Sequence, residues 1–202
     1  MSAISSTKND KIKHLRKLYS TRQRKQKGQY VLEGSRIIRQ AVSAGERLEE
    51  LFMTPDFAGT EQGQALRADL TRSQQLYFIT EDLLKQVSDT VNPQGVIGVV
   101  AESNKHRSLT EFERVVVLDR IQDPGNMGTI IRTAVAAGFD GIIALKGSVD
   151  IYNLKVIRST AGAIFSIPVI NRMELNELKD LLKRVEPRVI AALPDADREY
   201  TD

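Results

Sequence analysis

The chain has 202 residues, no cysteine, and a net charge of +3 built from 29 basic and 26 acidic residues. Without cysteine it can form no disulfide, thiolate nucleophile or Cys-ligated zinc site. It also lacks an apolar run near the roughly 20 residues of a membrane helix and, in its opening MSAISSTKNDKIKHL, the apolar core of a secretory signal. In chain order, Asn9 caps an expected helix through DKIKHLRKLYSTRQRKQK, with Ile12, Leu15, Leu18 and Tyr19 at helical spacing and Gly28 as its stop. Strand QYVLEG follows, then a helix from Ser35 to Gly45, strand LEELFMT, a weak helix EQGQALRADLTR, strand QLYFIT, a helix capped by Thr80 and strand QGVIGVVAE. This alternation over residues 1–102 predicts an α/β sandwich.

Residues 103–112, SNKHRSLTEF, are mostly polar and lack periodicity, and so form the expected linker. The alternation then restarts: strand RVVVLDRI, helix 126–138, strand GIIALKG, helix NLKVIRSTAGAI, strand SIPVI, helix ELNELKDLLKRV and strand RVIAAL. Strands joined by helices of this length predict a parallel sheet with right-handed crossovers. The chain closes on PDADREYTD shortly after its last expected strand, an abrupt ending for such a sheet.

The charge is unevenly spread. Residues 1–39 hold eleven basic and two acidic residues, whereas the remainder holds 18 basic and 24 acidic. A basic arm on a mildly acidic body points to a polyanionic partner, nucleic acid first and an acidic membrane surface second. The alternative, on charge alone, is a solvated basic helix.

Ligands of open parallel sheets bind beyond the carboxyl ends of the strands. The first such loop, DPGNMGTIIRTAVAAG, is rich in turn formers, and Asn126 is a candidate cap. Gly128 permits close approach of a ligand or of another backbone. Arg132 shares its helix face with the small residues Thr129 and Ala136, while Ile130, Ala134 and Ala137 are expected to pack on the sheet. An arginine near a helix N-terminus opposes the macrodipole unless an anion compensates it. Lys155 and Arg158, three apart on the next helix, can hold phosphates in register. The two histidines, His14 and His106, lie in the basic helix and the linker, leaving none at the strand ends for acid–base work. No spacing of ligands suggests a metal.

The pattern Asn126-x-Gly128-x-x-x-Arg132 resembles the first motif of the SpoU/TrmH RNA 2′-O-ribose methyltransferases, and YNLKVIRSTAGAIFSIPV resembles the second, through Lys155, Arg158, Ser159 and Gly162. One departure is Leu154, where the family commonly has proline. The N-terminal half is similar to the L30e-like substrate-binding domain that precedes the catalytic domain in such enzymes. The resemblance implies an L30e-like domain (1–102), a linker (103–112) and a SPOUT-type parallel-sheet α/β domain (113–202). It implies S-adenosylmethionine as methyl donor, RNA (ribosomal RNA first) as acceptor, a cytoplasmic homodimer, and no requirement for a metal. It maps catalysis onto Arg132 and Asn126 and part of the cofactor pocket onto Ala192 and Leu193. RNA contacts are expected from Arg22, Arg24, Lys25, Lys27, Arg36, Lys155, Arg158 and Ser159. The family's glycine-rich third motif is not found, so a C-terminally truncated catalytic domain with its knot unformed is expected. The alternative is an RNA-binding protein without catalysis.

Overall fold

The computed structural model describes residues 3–70, 74–102 and 112–193. The expected linker, apart from Phe112, and His106 within it lie outside the described residues, as does the closing PDADREYTD. The first sheet is built from β1 (Gln29–Glu33), β2 (Leu48–Met53), β3 (Gln75–Phe78) and β4 (Val96–Ala101), in the order β1-β4-β2-β3. β4 runs antiparallel to both of its neighbours, and β2 and β3 are parallel. Helix α3 (Ser35–Ser43) covers one face through Ile38 and Ala41; α1 (Asp10–Lys17) and α6 (Glu81–Val87) cover the other through Ile12, Leu15, Leu83 and Leu84. Both β2 and β4 are buried along almost their whole length; β4 is an unbroken apolar run, VIGVVA, whereas β2, LEELFM, carries Glu50 into the interior on an ion pair with Lys11 at 2.7 Å.

The single basic helix expected over 10–27 is two helices, α1 and α2 (Thr21–Lys27). The break has a physical cause. The guanidinium of Arg24 folds back and donates to the carbonyls of Leu18 and Tyr19 at 3.1 and 2.9 Å, satisfying acceptors left open where α1 ends. Two further helices, α4 (Pro55–Gly59) and α5 (Glu61–Ala68), follow β2. The expectation missed α4, although Thr54 caps it and proline opens it.

The second sheet is parallel, in the order β5-β6-β7: β5 (Val115–Leu118), β6 (Gly141–Leu145) and β7 (Val169–Met173). Helices α7 (Pro124–Ala136) and α8 (Leu154–Ser159) lie on one face, and α9 (Leu175–Val185) packs Leu178 and Leu181 against Ile143 and Leu145 on the other. The expected helix 153–164 stops at Ser159 because Ala161 and Gly162 both adopt positive φ, 51° and 92°, which no helix continues through. A 3-10 turn over 163–165 then leads to β7. The expected strand 188–193 is absent. Residues 187–193 form neither helix nor strand, and Val189, Ile190 and Leu193 are 65%, 80% and 64% exposed.

The two sheets share one apolar cluster, which runs from Tyr30, Leu32 and Ile38 to Met127, Ile131 and Ile157. Tyr30 stacks on Tyr152 with ring centroids 4.5 Å apart. Burial, reinforced by the Glu102 carboxylate, pushes the Tyr152 hydroxyl well above its ordinary value and keeps it neutral. No described helix is long and apolar enough to cross a membrane.

Candidate RNA-modification site

Asp123, rather than Asn126, caps α7: its Oδ1 accepts from the Asn126 amide at 2.7 Å, and Pro124 opens the first turn. Asn126 lies inside that turn with its side chain exposed. The buried face of α7 is Met127, Gly128, Ile131 and Ala134, with Ile130 half-buried against the same apolar cluster; of the expected Ile130, Ala134 and Ala137, only Ala137 is exposed. Met127 and Ile131, four apart, carry most of that face. Thr129, Arg132 and Ala136 lie together on the exposed face, as expected.

Gly128 is required by another backbone rather than by a ligand. A Cβ there would lie 2.8 Å from the Ser159 carbonyl carbon and 3.0 Å from the Thr160 nitrogen. The segment carrying Arg132 and the segment carrying Lys155 and Arg158 therefore meet at this glycine. Gly128→Ala is expected to destabilise the protein by about 1–3 kcal/mol, because backbone rather than a flexible side chain must yield. Thermal melting of the variant measures it, and an unchanged midpoint would contradict the packing described.

Asn153 caps α8, accepting from the Lys155 amide at 2.9 Å, and Lys155 is exposed. Arg158 donates to the Leu154 carbonyl at 3.3 Å and pairs with Asp89 at 2.5 Å. Asp89 belongs to a loop of the first sheet pinned by Glu33, which accepts from the Asp89 amide, the Ser88 hydroxyl and the Tyr19 hydroxyl at 2.8, 2.8 and 2.6 Å. The Ser159 hydroxyl is turned back onto the Lys155 carbonyl at 2.8 Å. Arg158 and Ser159, expected on RNA, are thus engaged within the protein.

Arg24 departs furthest from expectation. It is 4% exposed, and its guanidinium donates to Asp150 Oδ2 at 2.8 Å, so it does not belong to an RNA-facing arm. Its neighbours Arg22, Lys25 and Lys27 are exposed and make no ion pair among the described residues. Ala192 and Leu193, expected in the cofactor pocket, face solvent in the segment after α9.

Arg132 opens onto a cleft of about 920 Å³ between the two halves. One wall is α3, presenting Arg36 and Arg39. The other is the turn over 160–166, with Phe165. The walls touch at Gln40, whose amide lies where a Cβ of Gly162 would be. Arg36 and Arg39 escaped the sequence reading as partners of Arg132. Their three-residue spacing marked a shared helix face, but nothing in the sequence sets that face opposite Arg132.

Comparison with known proteins agrees with this arrangement. Residues 9–98 match the MRM3-like substrate binding domain, and residues 113–202 match the SpoU rRNA Methylase family. An uncharacterized tRNA/rRNA methyltransferase of Synechocystis sp. is 35% identical over 97% of the chain and 72% of its own length. The 23S rRNA (guanosine(2553)-2′-O)-methyltransferase RlmP of Bacillus subtilis is 32% identical over 85% of the chain, which spans 66% of that protein. The AdoMet-bound rRNA methyltransferase of Sinorhizobium meliloti superposes with a TM-score of 0.78 at 27% identity, over 91% of this chain and 69% of that one. With a substrate-binding domain followed by this catalytic domain, the chain belongs to the SpoU rRNA methylase family.

Proposed function

We propose that the protein transfers a methyl group from S-adenosylmethionine to a ribose 2′-hydroxyl of ribosomal RNA. The observation that carries this reading is the position of Arg132, exposed and without an ion pair among the described residues, on a cleft whose opposite wall comes from the substrate-binding half. A ribose hydroxyl is a weak nucleophile, so it must be polarised or deprotonated and held in line with the methyl it attacks. The guanidinium offers a planar fork of donors that can grip the hydroxyl oxygen and the adjacent phosphate together. That role needs no deprotonated arginine. Asn126 makes no hydrogen bond to Arg132, nearly two turns away, and its part is to shape the loop that opens α7.

S-adenosylmethionine supplies an electrophilic methyl on a sulfonium, and the Sinorhizobium meliloti relative is described with it bound. Residues 192 and 193 do not form a wall for its adenosyl group in this arrangement, because both face solvent. The chemistry assigned to this chain's own residues is therefore that of the acceptor side. We further infer a cytoplasmic homodimer. Support for the dimer comes from the exposed apolar side chains of Val117, Val189 and Ile190.

Incubation with tritiated S-adenosylmethionine and a protein-free 23S rRNA transcript tests the reading. Label is expected in RNA and, after alkaline hydrolysis, in a dinucleotide, since a methylated 2′-oxygen cannot attack the neighbouring phosphodiester. Label released as a mononucleotide would mean base methylation, and no label would mean no transferase.

A further inference from the structure

We infer that the interdomain cleft seats an unpaired RNA strand, with its phosphates on Arg36 and Arg39 of α3 and one base on Phe165, so that the substrate-binding half of the same chain delivers the acceptor ribose to Arg132. This rests on the proposed methyl transfer and adds where and in what form the RNA lies.

Three observations converge. First, Arg36, Arg39 and Arg132 line a single cleft, no acidic residue lines it among the described residues, and none of the three makes an ion pair among those residues. Three like charges kept together without a counter-charge cost free energy unless a polyanion occupies the space. Elsewhere at the junction the cations are matched: Arg24 lies on Asp150, Arg158 on Asp89 and Arg172 on Glu102. The domain-joining arginines and the ligand-facing ones are therefore separate sets. Second, Arg36 and Arg39 stand on one face of α3, three residues apart, so both can engage one strand. Phosphate contacts of this kind set register without reading sequence. Third, Phe165 is half-buried against the shared apolar cluster and also lines the cleft, which gives a fixed aromatic surface. A base can stack there only if it has left its own helix. RNA recognition by stacking on aromatic side chains is confined to unpaired loops and ends. A continuous A-form duplex would satisfy the arginines but leave Phe165 unused.

The junction also explains why the walls keep their spacing. Gly162, with φ of 92°, brings the 160–163 turn against the Gln40 amide, one residue beyond Arg39. A side chain at 162 would be strained at this φ and would displace the flexible end of Gln40.

Filter binding and steady-state methyl transfer with the 23S rRNA transcript test this on the intact protein. The double variant R36A/R39A is expected to raise Kd and KM by ten- to a hundredfold. It should also flatten the dependence of log K on log salt by about 1.4, at roughly 0.7 per single-strand phosphate contact. Phe165→Leu is expected to weaken binding about tenfold with an unchanged salt slope, since stacking carries no charge. For both, kcat at saturating RNA stays within about threefold of wild type. Arg47→Ala removes an exposed arginine that lies outside the cleft, paired with Glu49, and should change Kd by less than about twofold. A wild-type KM and salt slope in R36A/R39A would overturn the seat, as would an equal loss in the Arg47 variant. An unchanged Kd in Phe165→Leu would remove the unpaired base and leave duplex binding. If wild-type protein transfers no methyl, the function fails, while the Kd and salt-slope results still decide the seat.

Discussion

Arg132→Ala is expected to lower kcat for methyl transfer to rRNA by roughly 10²–10⁴, the range lost when a positioned proton-transfer or charge-stabilising group is removed. Fold should not suffer, because Arg132 is exposed and its helix is held by Met127, Gly128, Ile131 and Ala134 on the other side. Affinity for RNA should fall only by the share of one phosphate contact, since Arg36 and Arg39 remain on the facing wall. Saturating RNA therefore separates the two effects. A binding role is rescued by more substrate, and a role in activating the hydroxyl is not. Arg132→Lys sharpens the test. Lysine keeps the charge but replaces the planar fork by a point charge on a flexible stem, so it is expected to remain impaired at least tenfold. Near-normal kcat in either variant would remove Arg132 from the chemistry and return it to the category of a solvated surface arginine.

Much of the α/β architecture was legible because it depends on local pattern. The buried strand β4 reads as an unbroken apolar run, and caps at Asn9 and Thr80 stand directly before their helices. The parts that escaped are those decided at long range. Arg24 sits in a run of basic residues, TRQRKQK, and reads locally as one more exposed cation. Its partner Asp150 is 126 positions away, and that partner turns the side chain inward and splits the basic helix at residues 18–20. Gly128 was correctly flagged for close approach, but the approaching group, the Ser159–Thr160 backbone, comes from a different helix. Apolar composition misled at 188–193: RVIAAL has strand-like residues, yet a strand also needs a neighbour's free edge in register, and composition does not supply one. The cleft itself was invisible to sequence, because the shared face of Arg36 and Arg39 and the ring of Phe165 acquire meaning only across the junction.

Beside the shared apolar cluster and the Arg158–Asp89 and Arg172–Glu102 pairs, the junction contains one deeply buried ionic node, and removing it is expected to cost stability as well as activity. Asp150 is 6% exposed. Its Oδ2 accepts from Arg24 at 2.8 Å, and its Oδ1 accepts from the Tyr152 amide at 3.2 Å and the Asn171 side chain at 3.0 Å. Arg172 approaches the same carboxylate at 3.8 Å. Asp150→Ala would leave the 4%-exposed Arg24 cation without its counter-charge, and breaking a buried pair from one side typically costs about 3–5 kcal/mol. At roughly 2–4 °C per kcal/mol for a chain of this size, the melting midpoint should drop by about 6–20 °C. The double variant R24M/D150L removes both charges together. It should recover most of that loss, since an apolar pair carries no desolvation penalty. If Asp150→Ala melts within about 2 °C of wild type, the node is not what joins the halves. If the double variant melts as low as the single one, the hydrogen bonds that Asp150 and Arg24 make within their own halves, to Tyr152, Asn171, Leu18 and Tyr19, account for the loss rather than the ion pair between the halves. Because α2 is anchored to the second sheet through Arg24 while Arg22, Lys25 and Lys27 remain outside, the same residue that breaks the basic helix also keeps its free cations on a surface fixed relative to Arg132. A loosened node should therefore raise KM for rRNA at temperatures well below the melting midpoint, before the protein unfolds.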